Sequence, residues 1–350
     1  MATPMPTTTE GDPATTPAVV VGQDVEEDQP QDMDSLFGDR TSQEIRGSST
    51  TSLTQSIMEY RELHGRTYHN FGDTYYWGPN DNKQNEQLDI GHHMLTMLLD
   101  NKLFLAPISS KPQNVLDVGT GTGIWAIDFA DAFPSSQVTG TDLSPIQHSF
   151  IPPNLKFEID DAQMDWTFAP DSFDYVHMRC LMGSIRDWQR LFGQVYSCTK
   201  PGGYIESMEM DIQFLSDDGT VKEGDVMYDW STLFIESGEQ IGQTFKIPRI
   251  AKSLIEAAGF VDVVETKYKL PVGPWMEDPK WKDLGRWNLL YLDEGLEGMV
   301  MFVLLKIMGW SYEEMAVYVA NMRKALRSSK NHGYYEIVVV YGRKPESKVV

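Results

Sequence analysis

The stretch that most constrains this chain is Val115-Leu116-Asp117-Val118-Gly119-Thr120-Gly121-Thr122-Gly123. A short run suited to a buried strand passes directly into a turn with glycine at every second position. A helical pattern, Ile124 to Phe133, starts at once. Glycines at such a turn permit positive φ and let a ligand approach the backbone. The helix that follows presents free N–H groups and the positive end of its dipole, suited to an anionic group. A dinucleotide-binding turn requires G-x-G-x-x-G. Here the spacing is G-x-G-x-G, and Ile124 stands where the third glycine of that motif belongs.

The rest of the chain repeats the strand–helix alternation. Strands are predicted over 114–119, 137–142, 155–160, 173–178, 202–210, 261–270 and 336–344. Helices are predicted over 86–105, with Asp81 or Asn85 as its cap, over 123–133, over 181–198, in a segment ending at Gly259, and through most of 280–327. This order predicts an α/β fold: a doubly wound, mainly parallel, seven-stranded Rossmann-like sheet with helices on both faces. The expected divisions are a disordered acidic tail over 1–50, an N-terminal lid and helix over 51–105, a core of 106–271 and 331–345, and a helical cap inserted over 272–330. The tail has ten acids and two bases and too few apolar residues to offset its ordering entropy.

Chemistry concentrates at the strand ends. Asp117 lies two residues before Gly119, where it is expected to face a cationic amine while the loop N–H groups face a carboxylate. That pairing suits an amino-acid zwitterion such as the methionine end of S-adenosylmethionine. Asp142 closes the second strand, 19 residues after Gly123, and is placed to accept hydrogen bonds from ribose hydroxyls. Leu143 is expected against the adenine face. Asp161 and the Ala162 N–H follow the third strand, in reach of the adenine edge. Among Tyr68, Tyr75, Tyr76 and Trp77, aromatic faces are expected to wall a slot that attracts a sulfonium. His177, at the end of the fourth strand, is the leading candidate if a general base is used, with a satisfied structural histidine as the favoured alternative, and His148 stands behind it. Of the adjacent His92 and His93, one is expected to be structural. No metal-ligand spacing is present.

These motifs resemble those of the class I S-adenosylmethionine-dependent methyltransferases. The resemblance assigns cofactor binding to Asp117, Gly119, Gly121, Gly123, Asp142, and Asp161 with Ala162, and identifies Lys200-Pro201-Gly202-Gly203 with the turn before the fifth strand; Thr120, within the glycine turn, and Leu143 are expected at the cofactor beside them. A narrower resemblance rests on Gly65-Arg66-Thr67-Tyr68-His69, Tyr75-Tyr76-Trp77-Gly78-Pro79-Asn80-Asp81 and Glu86-Gln87-Leu88-Asp89-Ile90-Gly91-His92-His93. It is similar to the N-terminal signature of the fungal LaeA-like, velvet-associated methyltransferases; read physically, the same segment is expected over the cofactor mouth, with Tyr75 at the cofactor. It implies a regulator of fungal development and secondary metabolism, acting with protein partners such as velvet-type regulators or a related methyltransferase, in nucleus and cytoplasm. Two other readings stay open: a small-molecule methyltransferase of a biosynthetic pathway, and a non-catalytic interaction protein that keeps the fold.

Composition narrows the partners. With 29 basic and 51 acidic residues the formal net charge is -22. A nucleic-acid-binding surface needs a basic face, so direct nucleic-acid binding is not expected, and a basic protein partner stays open. Two cysteines, Cys180 and Cys198, do not make a disulfide framework, and a reducing compartment is expected. The start lacks the apolar segment of a signal peptide. The longest apolar run, 298–308, is too short to span a bilayer and carries Lys306.

Overall fold

Strands buried on both faces are nearly continuous apolar runs, and the centre of this chain consists of such runs. The computed structural model describes residues 60–71 and 76–346 of the 350. The tail over 1–50, residues 51–59 of the expected lid, and Tyr75 lie outside the described residues. A small antiparallel hairpin, β1 (Arg61–Leu63) and β2 (Arg66–Tyr68), precedes helix α1 (Asn82–Leu98). Then follow β3 (Asn114–Val118), α2 (Ile124–Ala132), β4 (Gln137–Asp142), β5 (Leu155–Ile159), β6 (Phe173–Arg179), α3 (Trp188–Cys198) and β7 (Thr199–Met210). The chain continues through α4 (Val226–Ile241), α5 (Ile247–Ala257), β8 (Val261–Pro271), α6 (Pro279–Phe302), a π-helical turn at Val303–Ile307, α7 (Tyr312–Leu326) and β9 (Tyr334–Arg343).

β3 to β9 form one seven-stranded sheet in the order β5-β4-β3-β6-β7-β9-β8. β3 pairs in parallel with β4 and β6, as do β4 with β5 and β6 with β7. β9 runs antiparallel to both of its neighbours. Alternate residues of β3 serve the two faces: Val115 packs with Trp125, Ala126, Phe129 and Ala130 of α2, and Leu116 and Val118 join the larger core on the other side. Burying a side chain of this size contributes roughly 1.5–3 kcal/mol. Phe129, fully buried, is therefore a substantial part of what holds α2 to the sheet.

The elements differ from the sequence reading at four places. Helix α1 starts earlier than expected, because Asp81 caps it: its carboxylate accepts from Gln84 N at 3.0 Å and from Arg66 at 2.5 and 3.0 Å. It also stops earlier, where Asp100 and Asn101 take φ of 56° and 62°. The helix expected from 181 begins at Trp188, because Cys180 and Gly183 both have positive φ and Asp187 caps the start through Arg190 N at 2.8 Å. The β1–β2 hairpin and α4 were not anticipated. Among the described residues no helix is long and apolar enough to cross a membrane.

The segment between β8 and β9 holds α6 and α7, and it reaches the rest of the molecule mainly through α1. Glycines make that approach possible. A Cβ on Gly295 would stand 1.8 Å from Gln87 Nε2, one on Gly298 would stand 2.9 Å from Arg66 Nη1, and one on Gly91 of α1 would stand 2.9 Å from the Tyr291 ring. Gln87 is buried and donates to Tyr291 O at 3.1 Å. Gly295→Ala must displace that amide or part the helices. We expect it to lower unfolding free energy by about 1–3 kcal/mol, read as a reduced urea midpoint with an unchanged denaturant slope.

Candidate functional site

Doubly wound sheets place ligands at the carboxyl ends of their strands, where the strand order reverses. Here the reversal falls between β3 and β6. A cavity of about 1020 Å³, open mouth included, lies over the ends of β3, β4, β5 and β6. Its walls include Gly119, Thr120, Gly121, Thr122, Asp142, Leu143, Asp161 and Ala162. Asp117 and Gly123 are not among them.

The glycine turn is held from behind. Asp117 is 2% exposed; its Oδ2 accepts from Thr120 Oγ1 at 2.6 Å and its Oδ1 lies 2.7 Å from His177 Nδ1. The expected contact between Asp117 and a ligand amine is therefore not what the structure shows, because both oxygens are engaged beneath the loop. Gly119, Gly121 and Gly123 have φ of 67°, 59° and 81°. A Cβ on Gly123 would stand 2.3 Å from the Phe157 ring, so this glycine closes the loop onto β5 rather than onto a ligand; one on Gly121 would meet only Leu88, at 3.5 Å. The loop N–H groups are also engaged: Thr120 N donates to Thr141 O at 2.9 Å, Gly121 N to Asp142 Oδ2 at 2.8 Å, and Gly123 N to Thr120 O at 3.0 Å. The expected cradle of free loop donors for a carboxylate is absent at these three residues.

His177 is corrected in the same way. It has no exposed surface and is not on the cavity wall. Its ring stacks on Trp125 at 3.6 Å and 5°. Burial lowers its pKa, although the Asp117 carboxylate opposes the shift. A neutral, enclosed imidazole cannot take a proton from an acceptor in the cavity, and His177 instead positions Asp117. His148 is exposed, 3.9 Å from Asp89. His93 packs edge-on against Trp287 at 4.5 Å.

The acids after β4 and β5 do reach the cavity. Asp142 accepts from Gly121 N and, at 3.0 Å, from Ser144 N; burial raises its pKa to about 6 despite these donors. Asp161 accepts from Gln163 N at 2.9 Å and is 5% exposed. Across the glycine loop, on the β6 side, the wall is formed by Tyr76, His92, Arg179, Cys180, Met210 and Tyr291. Burial pushes the Cys180 thiol up to about 12 and raises both tyrosines. Of the four aromatic residues expected to form a slot, Tyr76 lines the cavity. Tyr68 instead packs near Phe302, and Trp77 near Phe234 and Phe245. Sequence reasoning placed Arg179 at the ligand end of the fourth strand without giving it a role and passed over Tyr291, because nothing local marks a role that depends on α1 or α6 folding against the residue. Behind this wall Glu209, 1% exposed, accepts from Leu181 N at 3.2 Å and Met182 N at 3.0 Å, and burial raises its pKa to about 8. Among the described residues no cluster of His, Cys, Asp or Glu is arranged to hold a metal ion.

The methyltransferase domain family matches residues 90–265. Fold, cavity and this match define a class I S-adenosylmethionine-dependent methyltransferase. Over 299 residues the chain is 36% identical to the methyltransferase pytC of Aspergillus terreus, covering 85% of this chain and 92% of that one. It is 35% identical over 288 residues to the secondary metabolism regulator LAE1 of Cochliobolus heterostrophus, covering 81% and 94%. It is 31% identical over 301 residues to the secondary metabolism regulator laeA of Aspergillus fumigatus, covering 85% and 80%. The chain belongs to the LaeA-like methyltransferases.

The cavity fits the cofactor. Asp142 and Asp161 offer acceptors for ribose and adenine donors, Leu143 and Ala162 offer apolar surface, and the buried Ser184 Oγ on the wall has no partner among the described residues. Bound there, S-adenosylmethionine supplies a methyl group activated by its sulfonium sulfur. Two pH effects follow. Ribose hydroxyls donate to a charged Asp142 best, so affinity for S-adenosylhomocysteine should fall below about pH 6, by at most tenfold per unit; titration calorimetry from pH 5 to 8 reads this, and Asp142→Ala should abolish the effect along with most of the binding. Glu209 has its pKa raised on folding from 4.5 to about 8. Its stabilising contribution is therefore complete below about 4.5 and lost as pH rises through about 8. Glu209→Gln should flatten the decline in urea midpoint between pH 6 and 9 relative to the wild type.

Proposed function

We propose that this enzyme methylates a small or slender acceptor in fungal secondary metabolism. The observation that carries the reading is Tyr291: it comes from α6, within the segment inserted between β8 and β9, and forms part of the cavity wall with Tyr76 and Met210. An acceptor must enter past these side chains, which favours a narrow, partly apolar group over a broad macromolecular surface. His177 is enclosed, and among the described residues no ionised general base is evident at this end of the cavity. Methyl transfer is an in-line displacement from a strongly activated donor, so alignment by the aromatic walls supplies much of the rate. A base is needed only where the acceptor carries a proton at neutral pH.

A second reading, a regulator acting with protein partners, draws support from the regulator names of LAE1 and laeA and from the net charge of -22. That charge suits a basic partner such as a velvet-type regulatory protein or a related methyltransferase. Under this reading the chain works in nucleus and cytoplasm. Incubation with methyl-labelled S-adenosylmethionine separates the two, using a low-mass extract of a fungal culture in one arm and candidate partner proteins in the other. The first reading expects label in the low-mass fraction, at least tenfold reduced by Gly121→Asp in a protein shown to fold. Label carried only by protein would overturn it in favour of the second.

A further inference from the structure

The cavity has a charge axis set by strand order. β4 and β5 lie on one side of the β3 loop and β6 on the other. Asp142, Asp160 and Asp161 therefore stand at one end of the cavity and Arg179, the last residue of β6, at the other. The acidic end suits hydrogen-bond donors, the ribose hydroxyls and adenine amino group. The amino-acid end of the cofactor must then lie towards β6, and it carries a carboxylate. The loop N–H groups of Thr120, Gly121 and Gly123 are already engaged, and the hydroxyls of Thr120 and Thr122 donate to Asp117 and Asp89.

Arg179 is the one permanent cation on the cavity wall among the described residues, and no described carboxylate forms an ion pair with it. Its Nη1 lies 3.1 Å from His92 Nδ1. A guanidinium can only donate, so Nδ1 is the acceptor and the ring proton is on Nε2. Nε2 lies 2.9 Å from Asp128 Oδ2 of α2. Asp128 thus fixes the imidazole, and the imidazole, 6% exposed on α1, holds one edge of the guanidinium through a neutral partner. The charge of Arg179 is left uncompensated, with its remaining N–H groups for an anion.

We propose that Arg179 anchors the carboxylate of the cofactor's methionine moiety, with His92 and Asp128 as positioning residues. This rests on the cofactor site described above. Calorimetry on the full chain with S-adenosylmethionine and with its decarboxylated form isolates the carboxylate. The wild type should prefer the carboxylated cofactor by about ten- to a hundredfold, the range for a hydrogen bond to a charged group. Arg179→Gln should weaken only the carboxylated form and bring the two affinities to near parity; Arg179→Lys, which keeps the charge and loses the fork, should retain part of the preference. His92→Ala should reduce the preference in the same direction and by less. Equal weakening of both cofactors in Arg179→Gln, or no change in either, would overturn the assignment; the second result would give the guanidinium to the methyl acceptor instead. Failure of the well-folded wild type to bind either cofactor would overturn the cofactor site itself, and is distinct from both.

Discussion

The site depends on a single buried carboxylate. Asp117 ties the glycine loop to β6 by bonding Thr120 with one oxygen and His177 with the other. His177 in turn is clamped flat against Trp125 at the start of α2, and the Trp125 indole donates to Leu103 O at 2.9 Å. Loop, strand and helix are thereby fixed to one another beneath the floor of the cavity. A buried charge kept within hydrogen-bonded contact is tolerable; deprived of its partners it would cost several kcal/mol. The acid of the D-x-G-x-G-x-G pattern is engaged here in fixing the geometry of three glycines.

Above that floor, the sheet sorts charge by position. Acids follow β4 and β5, a guanidinium ends β6, and buried phenols and a thiol with raised pKa values line the wall beyond. The low dielectric that raises Asp142, Cys180 and Glu209 also strengthens any interaction made inside the cavity. The same residues that favour an ordered ligand therefore make the protein sensitive to pH, and in opposite senses: Asp142 favours the alkaline side for binding, Glu209 the acid side for stability.

The sheet was legible in sequence because buried parallel strands carry their own signal. Val115–Val118 and Tyr175–Met178 are buried on both faces and apolar apart from Asp117 and His177, and each ends in a turn or polar residue. The hairpin at Arg61–Tyr68 was not legible: its strands are three residues each, mostly polar, and shaped by packing against α6. Helix α4 was passed over because Ser231, Ser237 and Gly238 interrupt its apolar face; the structure buries all three. At the site, Asp142, Leu143, Asp161 and Ala162 could be placed from the strand ends alone. Asp117 was read as facing a ligand amine and His177 as a candidate base or a structural histidine, because a β-strand residue's surroundings depend on which helix covers it, and here Trp125 of α2 stacks on His177. Arg179 takes its meaning from α1 and α2, whose approach is a tertiary fact.

The insertion that supplies Tyr291 leaves the sheet at Pro271 and returns at Tyr334, and those two residues sit opposite one another in the β8–β9 ladder. The excursion thus begins and ends at one paired position near the sheet's edge, outside the ladder that carries the glycine loop. Closing a longer or shorter excursion between fixed, adjacent ends changes the loop entropy only slowly with length. A chain built this way can exchange the far wall of its cavity while inheriting the near wall intact. Diversification of acceptors within such a lineage would then be recorded in the insertion between β8 and β9, with the cofactor half unchanged.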